Sequence, residues 1–192
     1  MKRIQLEGAV KATLSILVLV FAVVTAVVTG NVWVALAMIA STAGDINIMN
    51  SRGCFLTEKN KKYFGWGMIS FAVAHLLYIL AMEGYKGWSV IVGLELLFCT
   101  FVPIMIWGLS KTEENFDPLK SSVLQVIYAI CIILAAISAL LFHWLTALGY
   151  CLFIASDLIL SKCEDKDLKY QIAIWATYIP AQICIIASFL IK

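Results

Sequence analysis

Residues 12–29 read ATLSILVLVFAVVTAVVT, and this stretch decides the fold class. It is an uncharged apolar run that follows Lys2, Arg3 and Lys11. A helix needs about 20 such residues to cross an apolar bilayer core of about 30 Å. A basic start before an apolar run also resembles a secretory signal, but this run has no A-x-A cleavage pattern. The sequence therefore predicts a spanning helix that stays in the mature protein.

Similar apolar runs fill the rest of the chain. The chain is 62% hydrophobic and 14% charged, and its mean hydropathy is +0.95, which excludes a soluble fold. Only helices and closed barrels satisfy their backbone groups in lipid, and the runs do not alternate as barrel strands do. We predict an all-α polytopic transmembrane bundle that forms a single domain over residues 1–192. Its about seven spanning helices are expected at 9–29, 32–50, 63–81, 88–109, 121–140, 144–161 and 170–191, with a tight turn at Gly30-Asn31.

The charges of the loops predict the orientation of these helices. Twelve of the 14 Lys and Arg residues fall on one side of the predicted membrane, and only Lys86 and Lys192 fall on the other. Cytoplasmic loops carry the excess of basic residues, so we expect the N-terminus inside and the C-terminus outside. We expect the protein to lie in the inner (cell) membrane of a bacterium.

Several partner and site classes receive no support. The net charge of +2 is too small to indicate nucleic acid. The six cysteines form no C-x-x-C pair, and the only histidines are His75 and His143, so a three-histidine zinc site cannot form. We expect no metal and no cofactor.

Three carboxylates lie inside predicted spanning helices, where each costs roughly 2.5 to 3.5 kcal/mol and needs a reason. Asp45 and Asp157 lie about 6 to 8 Å from the cytoplasmic ends of the second and sixth predicted helices. Glu95 lies toward the outer leaflet, where a structural and a functional role are equally open. The two Asp residues are 112 positions apart, and each follows a small residue and precedes an aliphatic one. We therefore hypothesise a parallel pseudo-repeat, in which predicted helices one to three resemble predicted helices five to seven and the fourth links them.

Other polar residues lie on shared helix faces. His75 and Tyr78 are three positions apart, and Tyr178 and Gln182 are four apart. Interhelical hydrogen bonding is the ordinary role of such residues in membrane bundles, and a binding site is the alternative. If the third predicted helix begins at residue 63, His75 lies about 18 Å from its start, which is deeper than the Asp pair. Either this helix begins later, the cavity is deep, or His75 is only structural.

Four stretches containing these residues resemble a known family. They are AGDINI (43–48), FAVAHLLY (71–78), LGYCLFIASD (148–157) and YIPAQ (178–182). In chain order they resemble the G-D, H-x-x-Y, G-x-x-x-F-x-x-S-D and Y-x-x-A-Q patterns of the YhhN-like, or lysoplasmalogenase, family.

The resemblance implies hydrolysis of the vinyl ether bond of a lysoplasmalogen, a lysophospholipid, to a fatty aldehyde and a glycerophospho-alcohol. The motif residues carry over to candidate catalytic residues, Asp45, Asp157 and His75, and to candidate substrate-binding residues, Tyr78, Ser156, Tyr178 and Gln182. Arg52 and Lys62 flank the same side and are candidates for holding the phosphate, although the topology of the basic residues already explains them.

The expected chemistry needs a proton donor and an anion. Protonation of the vinyl carbon gives an oxocarbenium ion, which water captures, as in glycoside cleavage. Two carboxylates in a low-dielectric site do not both ionise easily, so one is expected to act as the acid and its partner as the anion. Which of the two is the acid stays open at this point.

Three other functions fit the same residues. A small transporter or channel also places ionisable groups inside the membrane. A lysophospholipase or another ether or ester hydrolase could use the same pocket. A lipid-binding or purely structural membrane protein is the remaining alternative.

Overall fold

The computed structural model describes residues 2–51, 58–84, 122–162 and 168–191. Within these ranges the chain is helical apart from short turns, and no strand occurs there. The helices, numbered here in chain order, are α1 (Lys2–Thr29), α2 (Val32–Ser51), α3 (Glu58–Glu83), α4 (Ser122–Phe142), α5 (Trp144–Lys162) and α6 (Leu168–Ile191). Each of these six contains a stretch of 18 to 23 residues that is apolar enough to cross a membrane. The described part of the chain is therefore all-helical, and the protein is a multi-pass membrane protein.

The six helices coincide with six of the predicted spans, and the predicted helix at 88–109 lies outside the described residues. The predicted starts of the first and third spans, residues 9 and 63, agree with the apolar stretches Ala9–Thr29 and Lys62–Glu83, while the helices themselves begin earlier, α1 at Lys2 and α3 at Glu58. Apolar runs mark only the part of a helix that lies in the membrane. Lys, Glu and Gln are good helix formers, so they continue a helix beyond the apolar part.

The described helices form a closed ring. Each helix packs against the next one in the chain, and α6 packs against α1. The interior of the ring carries polar and aromatic side chains from all six helices. The outside carries large apolar side chains such as Val27, Leu140 and Trp144, which are 78%, 71% and 69% exposed. That surface suits contact with lipid chains, and it leaves the ring interior as the place for polar chemistry.

Two short turns build helical hairpins. Gly30 joins α1 to α2 with a φ of 69°, a conformation that glycine adopts without strain. Asn31 caps α2 by accepting a hydrogen bond from the Trp33 amide, and it donates one to the Ala81 carbonyl of α3. The predicted Gly30-Asn31 turn is thus confirmed. His143 joins α4 to α5 and caps α5 through Nδ1, which accepts from the Leu145 amide.

Contacts between side chains give the direction of each helix. Gly44 lies against Phe71, and Met38 lies against Tyr78, so α2 and α3 are antiparallel. In the other half, Thr146 donates to Ser188, and α5 and α6 are likewise antiparallel.

Contacts between α3 and α6 relate the directions of helices α1–α3 to those of α4–α6. Phe71 packs on Tyr178 and Tyr78 bonds to Gln182, so α3 runs parallel to α6. It follows that α1, α3, α4 and α6 run one way and α2 and α5 the other. One consequence is that α3 ends and α4 begins at opposite ends of the bundle.

Glycines allow close helix packing at two interfaces. A Cβ on Gly149 of α5 would lie 2.9 Å from the Ala181 carbonyl oxygen of α6, which is too close for a real side chain. A Cβ on Gly44 of α2 would lie 2.8 Å from the ring of Phe71. Small residues at helix contacts are typical of membrane bundles, where close backbone approach supplies the packing energy. These contacts hold Asp45 and Asp157 on helices that are fixed against their neighbours.

Candidate active site

Asp45 lies inside the ring with only 4% of its surface exposed. Its Oδ2 accepts hydrogen bonds from the Ser15 hydroxyl of α1 at 2.7 Å and from the Tyr178 hydroxyl of α6 at 3.1 Å. In the described part of the chain both donors are neutral hydroxyls, and both act on the same oxygen atom. Three helices therefore fix this carboxyl group while Oδ1 is left for another partner.

A hydrogen-bond network continues from Asp45 deeper into the bundle. Gln182 donates to the Tyr178 hydroxyl at 3.2 Å and to Ser41 at 3.3 Å. Tyr78 of α3 donates to the Gln182 carbonyl oxygen at 2.8 Å. The structure thus brings together four residues that the sequence singled out: Asp45, Tyr78, Tyr178 and Gln182.

Asp157 has a different and simpler environment on α5. It is half-buried, and its Oδ2 accepts a hydrogen bond from the Tyr128 hydroxyl of α4. The neighbouring Ser156 points elsewhere, because its hydroxyl donates to the Ile174 carbonyl of α6 at 3.3 Å. Ser156 therefore ties α5 to α6 in this structure.

An aromatic layer lies between the two carboxylates. The ring centres of His75 and Phe153 are 4.8 Å apart, and those of Phe153 and Tyr178 are 5.5 Å apart. Tyr178 in turn bonds to Asp45. The His75 ring centre also lies 5.9 Å from that of Tyr128, which bonds to Asp157. Each carboxylate has its own hydroxyl donors, and no hydrogen bond among the described residues joins the two. The two acidic sites are thus linked through rings.

His75 reaches this layer even though it lies deep in α3. The helix begins before residue 63, so a late helix start does not explain its depth. The explanation lies in its neighbours, because the Tyr128 and Tyr178 side chains span the distance between the carboxylates and the layer around His75.

Of the two basic residues proposed to hold the phosphate, only Lys62 lies in the described part of the chain. Lys62 is exposed at the start of the apolar part of α3, and Arg52 and Glu95 lie outside the described residues. Another basic side chain, Lys11, lies on the same helix as Ser15, which bonds to Asp45. Lys11 donates to the Gln171 side chain at 2.7 Å and lies 5.8 Å from the centre of the Trp175 ring, one helical turn from Ser15.

The described ranges also show whether a metal-binding cluster or a cavity lies near the acidic network. No cluster of three or more His, Cys, Asp or Glu side chains there could hold a metal ion. A cavity of about 310 Å³ lies at the α1–α2 turn, lined by residues 29–33 and Gly84. It is at the opposite end of α2 from Asp45, so it is separate from the acidic network.

A comparison with protein families gives a match over most of the chain. A model described as the YhhN family matches residues 6–189. The chain belongs to the YhhN family. Comparisons with curated proteins and with solved structures give no match. The resemblance predicted from the four short stretches is confirmed.

The fold gives these YhhN stretches a common location. The Gly-Asp pair lies on α2, the H-x-x-Y stretch on α3, the Ser-Asp pair on α5 and the Y-x-x-A-Q stretch on α6. Their side chains line the interior of one ring. The roles of the individual residues stay predictions.

Sequence reasoning missed four residues of this YhhN protein's polar interior: Ser15, Ser41, Tyr128 and Tyr150. A signal for two of them was available. Ser15 and Asp45 lie equally far from the turn at Gly30, and Tyr128 and Asp157 lie almost equally far from the turn at His143. Residues at equal distances from a hairpin turn face each other at one depth. A hydroxyl in that position opposite a buried carboxylate is thus a predictable partner.

Proposed function

We propose that this YhhN protein is a membrane hydrolase that cleaves the vinyl ether bond of lysoplasmalogens. The products are a fatty aldehyde and a glycerophospho-alcohol. The observation that carries the proposal is the environment of Asp45: a carboxyl group inside the membrane ring, held on one oxygen by two neutral hydroxyls. Family membership supports the same reaction class.

Asp45 is the proton donor in this proposal. Ser15 and Tyr178 occupy Oδ2 as hydrogen-bond donors, which suits the carbonyl oxygen of a carboxylic acid. Oδ1 then carries the proton and delivers it to the vinyl carbon. A buried carboxyl group near neutral partners costs less free energy as the acid than as the anion.

Asp157 is the anion in this proposal. Its greater exposure than that of Asp45 distinguishes it, because solvent as well as the Tyr128 hydroxyl can then stabilise a charged carboxylate. This negative charge attracts the cation that forms on the substrate. At a given distance the attraction is stronger in a low-dielectric core than in water. The rings of Phe71, Phe153 and Tyr178 offer the same cation electron-rich faces.

The position of both carboxylates suits the substrate. Asp45 lies six residues before the end of α2, and Asp157 lies five before the end of α5, which places both about 7 to 9 Å from those ends. The vinyl ether of a lysoplasmalogen lies at a comparable depth, between head group and hydrocarbon chain. Tyr78, Tyr178 and Gln182 are the proposed contacts for the glycerol, and Lys62 and Arg52 those for the phosphate.

The proposed topology completes this picture. We propose an N-terminus in the cytoplasm, a C-terminus outside and a seventh span between α3 and α4, in a bacterial inner membrane. The opposite ends at which α3 stops and α4 starts support an additional crossing. Both carboxylates then face the cytoplasmic leaflet.

The test compares three lysolipids with the same head group and chain, linked by a vinyl ether, an ester or a saturated ether. Purified protein in detergent is incubated with each, and free aldehyde and free fatty acid are measured. We expect aldehyde from the vinyl ether lipid only. Fatty acid from the ester would instead make the protein a lysophospholipase.

A matched pair of variants connects the activity to the site. Asp45→Asn should abolish aldehyde release, and Glu83→Gln, which changes a buried carboxylate at the far end of α3, should keep it. Both proteins should elute as monodisperse species from size exclusion. Full activity of Asp45→Asn would contradict the proposal. Ion flux through proteoliposomes without aldehyde release would favour the transporter.

A further inference from the structure

Two core residues of the aromatic layer carry polar atoms that have no partner among the described residues. His75 and Tyr150 are each only 1% exposed. Within the described ranges neither nitrogen of His75 nor the hydroxyl of Tyr150 has a hydrogen-bond partner. An unsatisfied buried polar group costs about 1 to 3 kcal/mol, so three such atoms in two adjacent residues point to a polar ligand.

These two residues lie at one place in the fold. Their ring centres are 5.6 Å apart, with His75 on α3 and Tyr150 on α5. The neighbouring rings of Tyr128 and Phe153 connect this place to both carboxylates, as described above. Ring contacts and the hydroxyls of Tyr178 and Tyr128 therefore connect the two residues to the proposed acid and to the proposed anion.

The chemistry of the two side chains limits the ligand. A neutral imidazole has one donor and one acceptor nitrogen on different edges of the ring, so a single ligand atom cannot satisfy both. A tyrosine hydroxyl also donates and accepts. One water can bond to one His75 nitrogen and to the Tyr150 hydroxyl, and a second can bond to the other nitrogen, since a buried water typically makes about three hydrogen bonds to polar groups that lack other partners.

We propose that His75 and Tyr150 bind the water that the reaction consumes, an inference that rests on the proposed function. After Asp45 protonates the vinyl carbon, the water oxygen bonds to the cationic carbon beside the ether oxygen. His75 takes the proton released from that water. The hemiacetal then breaks its bond to the glycerol oxygen, which takes up this proton, while the hemiacetal hydroxyl gives its own proton back to the Asp45 carboxylate. One aldehyde and one alcohol form for each water consumed, and the acid is restored.

The test uses the reversibility of the first step. When water capture is slow, the cation returns its proton, and substrate recovered from D2O carries deuterium on the vinyl carbon. Tyr150→Phe and His75→Phe should each lower aldehyde release by about 10²-fold and yield deuterated substrate. Wild type should yield substrate without deuterium.

A control variant separates this effect from a loss of packing. Thr25→Val removes another unpartnered buried hydroxyl, ten residues along α1 from Ser15, and should keep wild-type turnover without deuterium exchange. Slower aldehyde release by Tyr150→Phe without deuterium in the recovered substrate would overturn the proposal. So would wild-type turnover by both ring variants.

A second measurement does not depend on the activity. A high-resolution experimental map of the wild-type protein should show ordered density within about 3.2 Å of a His75 nitrogen and of the Tyr150 hydroxyl. If the wild type releases no aldehyde, the proposed function fails while this map still tests the water site. Direct bonds from these atoms to protein groups would overturn it.

Discussion

The three helices α1 to α3 and the three helices α4 to α6 are built alike. In each half a short capped turn joins the first two helices, at Asn31 in one and at His143 in the other. In each half the second helix carries an aspartate that accepts a hydrogen bond from a hydroxyl of the first helix. The chain separations of donor and acceptor are 30 and 29 residues. The helix directions also agree with the predicted parallel pseudo-repeat.

The two halves differ in what surrounds the aspartate. Asp45 is almost fully buried and has a second hydroxyl donor, Tyr178, which comes from the other half of the molecule. Asp157 is half-buried and has Tyr128 as its hydrogen-bond donor. Similar scaffolds thus hold two carboxyl groups in unequal environments, which is the arrangement that an acid and an anion require.

The largest expected effect tests this inequality directly. Asp45→Asn removes the proton donor, so aldehyde release should fall by about 10³- to 10⁴-fold. Asp157→Asn removes a charge that acts at a distance, so release should fall by about 10- to 100-fold. Initial rates with a lysoplasmalogen measure both, with folding checked by circular dichroism. Equal losses, or a greater loss for Asp157→Asn, would reverse the assignment of acid and anion.

Much of this comparison could be predicted from the sequence because it depends on apolar runs and on isolated charges. The six described spans, the turn at Gly30 and the matched depth of Asp45 and Asp157 all follow from such patterns. The hydrogen-bond donors of the two aspartates could not be predicted in this way. Hydroxyls such as those of Ser15 and Tyr128 are common in spanning helices, and only the helix packed against them shows what they bind.

The separation of the two carboxylates was also beyond the sequence. Matched depth on two helices does not say whether the side chains share a pocket or face different neighbours. The contacts between helices decide this, and they give each carboxylate its own hydroxyl partner, with Phe153 and His75 in the chain of ring contacts that joins the two. Periodicity along one helix carries no information about which helix lies opposite.

The next effect concerns stability and the packing that holds each half. Gly149→Ala would place a Cβ 2.9 Å from the backbone oxygen of Ala181, and backbone cannot move aside easily. Gly44→Ala would meet the ring of Phe71, which can rotate. We expect Gly149→Ala to destabilise the protein by about 1 to 3 kcal/mol and Gly44→Ala by less.

Thermal unfolding in detergent measures this difference. Gly84→Ala is the matched control, because its Cβ would come no closer than 3.4 Å to a neighbouring atom. An unfolding temperature of Gly149→Ala equal to that of the control would mean that the two helices are packed less tightly than the structure indicates.

A smaller effect should come from the hydroxyl donors of the first helix in each half. Tyr128→Phe removes the hydrogen-bond donor of Asp157, whereas Ser15→Ala leaves Asp45 with Tyr178. We expect turnover to fall about tenfold for Tyr128→Phe and about threefold for Ser15→Ala, since a hydrogen bond to a charged group contributes about 1.5 to 3 kcal/mol and one between neutral groups less. The reverse order would indicate that Asp45 is the charged member of the pair.

The smallest effect is expected at Ser156, next to the aspartate of the second half. The resemblance makes it a substrate-binding candidate, but its hydroxyl bonds to the Ile174 carbonyl and leaves the aspartate to Tyr128. Ser156→Ala should therefore change KM and kcat for a lysoplasmalogen less than twofold and lower stability by about 0.5 to 1.5 kcal/mol. A several-fold rise in KM with unchanged stability would show that the serine turns toward the substrate when the lipid binds.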